Sequence, residues 1–399
     1  MTALAFHAPH RPAAWRVLFP LLRRMDRDSL TVLMPDRGAH TFGPGGGIEA
    51  TLDVHDARAG NAILARGDVG FAEGYMRRLW DTPDLTALLT VLAANQPALT
   101  GAFYGRPLVR AVLRARHFLR ANTRRQARRN IVAHYDLGND FYAAWLDPGM
   151  TYSSALFEGD PGRSLEQAQH AKYDRMLREL ELGPASSVLE IGCGWGGFAE
   201  TAARAGHRVT GLSLSDAQTA YARERLAMAS LAERADLRVM DYRDAGGTFD
   251  GIASIEMFEA VGERYWPAYF RTIRDRLAPG GRACLQAITI AEDRFERYRS
   301  QSDFIQQYIF PGGMLASRSR LVAEAGAQGL TLQRVHAFGH DYAQTLRRWL
   351  DAFDAATPAV REQGFDDTFI RCWRFYLAYC AAGFATETTD VAQYTFVRS

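Results

Sequence analysis

The run Val188-Leu189-Glu190-Ile191-Gly192-Cys193-Gly194-Trp195-Gly196-Gly197-Phe198 constrains this chain more than any other segment. An apolar strand leads into an acid, then a turn packed with glycine, then a helix. Glycine is required there because a Cβ would collide with a ligand laid against the backbone, and because such a turn takes positive φ. The pattern predicts an α/β fold with a nucleoside cofactor seated over the turn.

The surrounding sequence extends that reading. Strands are expected over 187–191, 208–212, 236–240, 251–255 and 282–288, the last after the turn Ala278-Pro279-Gly280-Gly281. Amphipathic helices such as 216–228 and 266–277 alternate with them, which predicts a parallel sheet covered on both faces. Residues 1 to about 100 read as a smaller α+β unit. Its strands are expected at 30–33 and 48–52, separated by the loop Gly43 to Gly47, with helices at 71–76 and 85–94. The last hundred residues read as mostly helical and rich in aromatics.

Three features choose the nucleotide. Gly192, Gly194 and Gly197 also satisfy a dinucleotide fingerprint, which alone is weak. However, Glu190 sits directly ahead of the glycines. The second strand ends in Gly211-Leu212-Ser213-Leu214-Ser215 without the acid that an NAD ribose needs, and the third ends in Asp241-Tyr242-Arg243-Asp244, with a carboxylate suited to an adenine amino group. Together they resemble the S-adenosylmethionine site of a class I methyltransferase.

Composition limits where such a chain can act. Hydrophobic residues make up 47% and charged ones 23%, as in ordinary globular proteins. No window approaches the apolar length of a bilayer span, and Pro9, Pro12 and Pro20 interrupt any leader-like core. The four cysteines lack zinc-type spacing, so no metal is expected and a reducing cytoplasm is. The net charge of +2 conceals a segment, Arg106 to Arg129, with nine arginines, one histidine and no acid. Leu108, Val112, Leu113, Phe118 and Leu119 interleave with them. That mixture fits an anionic lipid surface at least as well as nucleic acid, and no nucleic-acid partner is expected.

The chain also resembles the cyclopropane-fatty-acyl-phospholipid synthase family along most of its length. The likeness is carried by Gly74-Tyr75-Met76, the run His134 to Tyr142, Met150-Thr151-Tyr152-Ser153-Ser154, the glycine block, Met257-Phe258-Glu259-Ala260-Val261-Gly262, Tyr308 to Gly313, and Asp341-Tyr342-Ala343-Gln344-Thr345-Leu346. It implies a Rossmann-like class I methyltransferase sheet with helical cover over 126–399. A smaller N-terminal α+β lipid-recognition domain is implied over 1–125. It also implies one carbon moved from S-adenosylmethionine to a cis double bond of a membrane phospholipid acyl chain, a peripheral position at the inner membrane face, and a homodimer. The cofactor residues carried across are Tyr152, Ser153, Glu190, Gly192, Gly194, Gly196, Ser213, Leu214, Gln218, Asp241 and Tyr242. Tyr308, Phe310 and Tyr342 are the aromatic candidates for steadying a cation.

The family's usual base is a bound bicarbonate. Two of its holders are present as Glu259 and Tyr342, but Ser154 stands at the cysteine position and Gln286 at the histidine position. Both can still hydrogen-bond an anion, yet the loss of the histidine weakens the case for bicarbonate. A second departure places Glu256 where the pattern has a small residue. If a helix starts there, Glu256 and Glu259 share a face, and Glu256, alone or with Glu259, becomes a candidate base; the alternative is a cofactor contact or a helix cap. The cyclopropane product and a methyl-branched or methylene product both remain open. A small-molecule N- or O-methyltransferase and a lipid-binding module with a dead cofactor site are the competing readings.

Overall fold

The computed structural model describes residues 13–99, 137–160 and 162–398. The arginine-rich segment, the residues His134 to Asp136 and the expected 125/126 boundary lie outside the described residues.

The amino-terminal sheet has the order β2-β1-β3-β4, from β1 (Ser29–Leu33), β2 (Ala39–Phe42), β3 (Glu49–Val54) and β4 (Trp80–Asp81). Its strands alternate in burial, so Leu30, Val32, Ala50, Leu52 and Val54 face one side, where helices cover them. The expected pair of strands is parallel, and the segment between them holds β2, antiparallel to β1. The glycine loop therefore joins β2 to β3. Gly43 has φ +90°, and a Cβ on it would lie 2.3 Å from the Asp28 carbonyl oxygen.

The larger sheet runs β11-β12-β9-β8-β5-β6-β7. Its parallel strands are β5 (Ser187–Ile191), β6 (Arg208–Ser213), β7 (Ala235–Val239), β8 (Phe249–Ile255) and β9 (Leu277–Ile290). Burial on both faces explains the near-continuous apolar runs of β5 and β8, whereas β7 at the sheet edge is mostly exposed. The expected turn at Ala278–Gly281 is instead the irregular first stretch of β9. Short β10 (Ala316–Ser317) pairs with β9. The end of the chain is less helical than its aromatics suggest. Helices Gly339–Glu362 and Asp367–Ala385 are flanked in sequence by β11 (Leu330–Ala337) and β12 (Thr389–Arg398), and β12 inserts antiparallel between β9 and β11. Strand order reverses at β5, which opens a crevice beyond the carboxyl ends of β5, β6 and β8.

The two sheets are bridged by one apolar core that runs from Trp15 to Val391. The helix Asp367–Ala385 packs on the helices Asp68–Met76 and Leu85–Ala94. Its buried Arg371 donates to the Tyr75 carbonyl at 2.6 Å and to Asp81 at 3.1 Å, with the guanidinium 3.7 Å from the centre of the Tyr75 ring. No helix among the described residues is long and apolar enough to cross a membrane.

Candidate active site

A cavity of about 820 Å³ begins over the glycine turn and extends between the two sheets to Asp68, Leu89 and Leu92. At its floor Gly192 and Gly194 have φ of +88° and +48°. A Cβ added to Gly194 would meet nothing within 4 Å, so the backbone there borders open space. Gly196 does a different job. It does not line the cavity, and a Cβ on it would sit 2.9 Å from Ala222, so its bareness lets the helices Gly197–Arg204 and Asp216–Met228 approach. The cofactor role expected for Gly196 is corrected to packing.

The remaining cofactor candidates, Tyr152, Ser153, Glu190, Ser213, Leu214, Gln218, Asp241 and Tyr242, all line the cavity. Glu190 is buried, and burial pushes its carboxyl up to about 8 against the pull of Lys172. The Ala199 amide, at the start of the next helix, donates to it, while its Oε2 is buried with no partner among the described residues. Ser213 Oγ lies 3.2 Å from Gln218 Oε1, and Asp241 is gripped by Arg243 at 2.8 and 2.5 Å. A positive-φ glycine floor, an unmet buried acceptor and polar groups on three strand ends suit an adenosyl group bearing an amino acid tail.

The chemistry-bearing cluster lies beside that floor. Glu256 follows β8 with φ +49°, an uncommon conformation for a residue with a side chain, and its amide donates to the Gln286 carbonyl at 2.8 Å. Its Oε1 accepts from the Ser154 amide at 2.8 Å and from Gln286 Nε2 at 2.8 Å, and its Oε2 accepts from the Tyr342 hydroxyl at 2.6 Å. Three of the groups expected to hold a bicarbonate thus converge on a side-chain carboxylate. Bicarbonate does not fit this site, because Glu256 already occupies those donors. Ser154 acts only through its backbone, since its hydroxyl donates to the Ala155 carbonyl at 3.0 Å. The side-chain role expected for Ser154 is corrected accordingly.

Glu259 sits in a 3-10 turn, Phe258–Ala260, rather than in the α-helix imagined from the sequence. One oxygen accepts the Ile288 amide and the other is buried without a partner among the described residues. Burial, and then the Glu256 charge, push its carboxyl up to about 8. Burial also raises Glu256, but Tyr342, Gln286, the Lys172 charge and Ser154 oppose the shift. The donors and the Lys172 charge around Glu256 thus favour the charged form there, and favour Glu259 as the holder of the pair's proton.

Aromatic rings complete the wall. Phe310, Tyr342 and Tyr376 line the cavity, and the Tyr152 hydroxyl donates to the Tyr376 hydroxyl at 2.8 Å. Tyr308 is 40% exposed, stacks on Phe304, and bonds Glu73 outside the lining, so the cation-facing role expected for it is corrected. The sequence reading missed Tyr376, whose place in an aromatic stripe gave no separate signal. It also missed Lys172. That lysine is fully buried, donates to Ser153 Oγ and Gln169 Oε1 at 2.7 Å each, and is pulled down to about 7 by burial.

Comparison with known proteins bears on the family of the chain. Residues 122–394 match the family described as mycolic acid cyclopropane synthetase. The chain is 39% identical to tuberculostearic acid methyltransferase of Mycobacterium tuberculosis, over 87% of this chain and 83% of that one. It is 33% identical to the cyclopropane-fatty-acyl-phospholipid synthase of Escherichia coli, over 88% and 89% respectively. Among solved structures it resembles the mycolic acid cyclopropane synthase CmaA1 complexed with SAH and CTAB, with a TM-score of 0.63 and 32% identity, over 67% of this chain and 97% of that one.

Proposed function

The chain belongs to the mycolic acid cyclopropane synthetase family of S-adenosylmethionine-dependent methyltransferases, and from that premise we propose that it methylates a cis double bond in a phospholipid acyl chain, with Glu256 as the base. The observation that carries this reading is the set of three donors closed on the Glu256 carboxylate beside the glycine floor. When bound, the cofactor supplies an electrophilic methyl group. The alkene carbon that takes it leaves its neighbour positively charged. Phe310, Tyr342 and Tyr376 line the cavity, where aromatic rings attract such a charge and keep water away. Glu256 then accepts a proton from the alkylated chain, and Glu259, already protonated, leaves Glu256 the free carboxylate of the pair.

The site of the cation and the proton that leaves decide the product. Loss from the added methyl closes a cyclopropane, loss from a neighbouring chain carbon leaves a methyl-branched alkene, and loss from the methyl after a 1,2-hydride shift onto the first cationic carbon leaves a methylene. Similarity to the tuberculostearic acid methyltransferase across most of both chains supports the branched outcome, and so does a base tethered to β8 in place of a bound anion. Ring closure is the second reading, supported by the likeness to the E. coli synthase. The test is expression in a host without such modified lipids, followed by mass spectrometry and proton NMR of its membranes. A gain of one CH₂ per chain with no cyclopropane resonance is expected. Unchanged lipids would overturn the reaction, and a cyclopropane signal would overturn the branch.

A base buried in protein must still reach a chain buried in a bilayer, and the arginine-rich segment 106–129 serves that need. Binding to vesicles is expected to rise with anionic lipid and fall with salt. Replacing Arg124, Arg125, Arg128 and Arg129 with glutamine should weaken binding by roughly 1 kcal/mol per arginine near the surface. Cosedimentation measures this, and unchanged binding would reject the assignment.

A further inference from the structure

The orientation of the Gln286 amide matters to Glu256, because turned over it would aim an oxygen at a carboxylate oxygen. We infer that Gln393, which does not touch Glu256, is a positioning residue that locks Gln286 with its amino group toward the carboxylate. The inference rests on the reading of Glu256 as the base.

The two glutamines are direct partners across the antiparallel pair β12–β9, so their side chains leave the same face of the sheet. Both are 1% exposed. Gln393 Nε2 lies 3.3 Å from the Lys172 carbonyl and 3.2 Å from Gln286 Oε1. A backbone carbonyl only accepts, so the amino group of Gln393 must face it. That choice presents a donor to Gln286, whose oxygen must turn toward β12. The Gln286 amino group is then left for Glu256 at 2.8 Å and the Ser154 carbonyl at 3.4 Å. Hydrogen-bond polarity thus runs in one direction from a peptide carbonyl to the carboxylate.

The arrangement is costly to the fold. Gln393 Oε1 is buried with no partner among the described residues, a cost that its donor to Gln286 Oε1 only partly offsets. Stability alone does not account for a glutamine there. The helix Leu165–Glu179 braces the other flank in the same manner. Lys172 and Gln169 hold the hydroxyl and carbonyl of Ser153, and the next amide, that of Ser154, is aimed at Glu256. The charged and titratable groups facing Glu256 are therefore Lys172, Glu259 and Tyr342, with Asp147 and Glu190 around Lys172.

The test is the pH–rate profile of Gln393→Leu in the purified full chain, with cofactor affinity measured by calorimetry. Glu256 works as a carboxylate, so the rate falls as pH drops through its pKa. Loss of an oriented donor raises that pKa and moves the acid limb to higher pH by about one unit, which is about tenfold in rate on that limb. Rates at high pH, substrate KM and cofactor affinity should stay near those of the parent. Gln393→Glu, of equal volume, is the second variant. Its carboxylate attracts the Gln286 amino group away from Glu256, and the same upward movement of the limb is expected. An unmoved limb in both variants, or a loss equal at every pH, would overturn the positioning role. If Glu256→Gln retained turnover, it would be the reading of the base that failed.

Discussion

Glu256→Gln is expected to reduce turnover by roughly 10³-fold, within the usual range for removal of a positioned general base. The substituent keeps the size of the side chain and tolerates the same backbone, yet it cannot take a proton from the alkylated acyl chain. It also presents an amide to three donors that now meet a carboxylate. Cofactor affinity should change little, because the cradle is built from other residues. The fold should survive, since the change removes a buried charge. Glu256→Ala gives a complementary result. It vacates the carboxylate's seat while leaving Ser154, Gln286 and Tyr342 in place, so added formate or bicarbonate should recover part of the rate. The parent enzyme should run equally fast in carbonate-depleted buffer. Steady-state rates with unsaturated phospholipid vesicles measure all three, and near-parental turnover by Glu256→Gln would remove the base from this residue.

Gly194→Val is expected to weaken S-adenosylmethionine binding by 100-fold or more, about 2.7 kcal/mol. Two effects combine. At φ +48° a side chain costs about 1–2 kcal/mol, and a β-branched one is the least tolerated there. Its Cβ enters open space at the cavity floor, so the methyls fill the volume that the cofactor needs. Calorimetry reads the affinity directly. The neighbouring Gly196→Val supplies the contrast. Its Cβ meets Ala222 of the facing helix at 2.9 Å, so its principal effect should be a lower Tm. Equal affinity in Gly194→Val and the parent would remove the cofactor from this floor.

Local sequence carried much of the site. Strand, acid and glycines are contiguous at 188–197, so their joint meaning was legible without a fold. Glu259, Gln286 and Tyr342 stood out through the family resemblance, and Glu256 as a departure from its pattern. The errors share a cause. Ser154 was credited with its hydroxyl, whereas the structure uses its amide, and no residue letter encodes which of the two faces inward. Gly196 and Gly194 are two residues apart and serve different neighbours. Tyr308 lies within a recognisable motif, but the π-helical turn Ile305–Ile309 leaves its ring outside the cavity.

The chain's own letters determined the parallel α/β core, the methyl-donor cradle and the presence of two carboxylates after one strand, because each depends on residues adjacent along the backbone. Only the tertiary structure decided which carboxylate holds the charge. That outcome depends on donors contributed by residues 154, 286 and 342, which lie 102, 30 and 86 residues from Glu256 along the chain, and on a buried lysine at 172. Burial raises both acids alike, and the unequal supply of hydrogen-bond donors separates them.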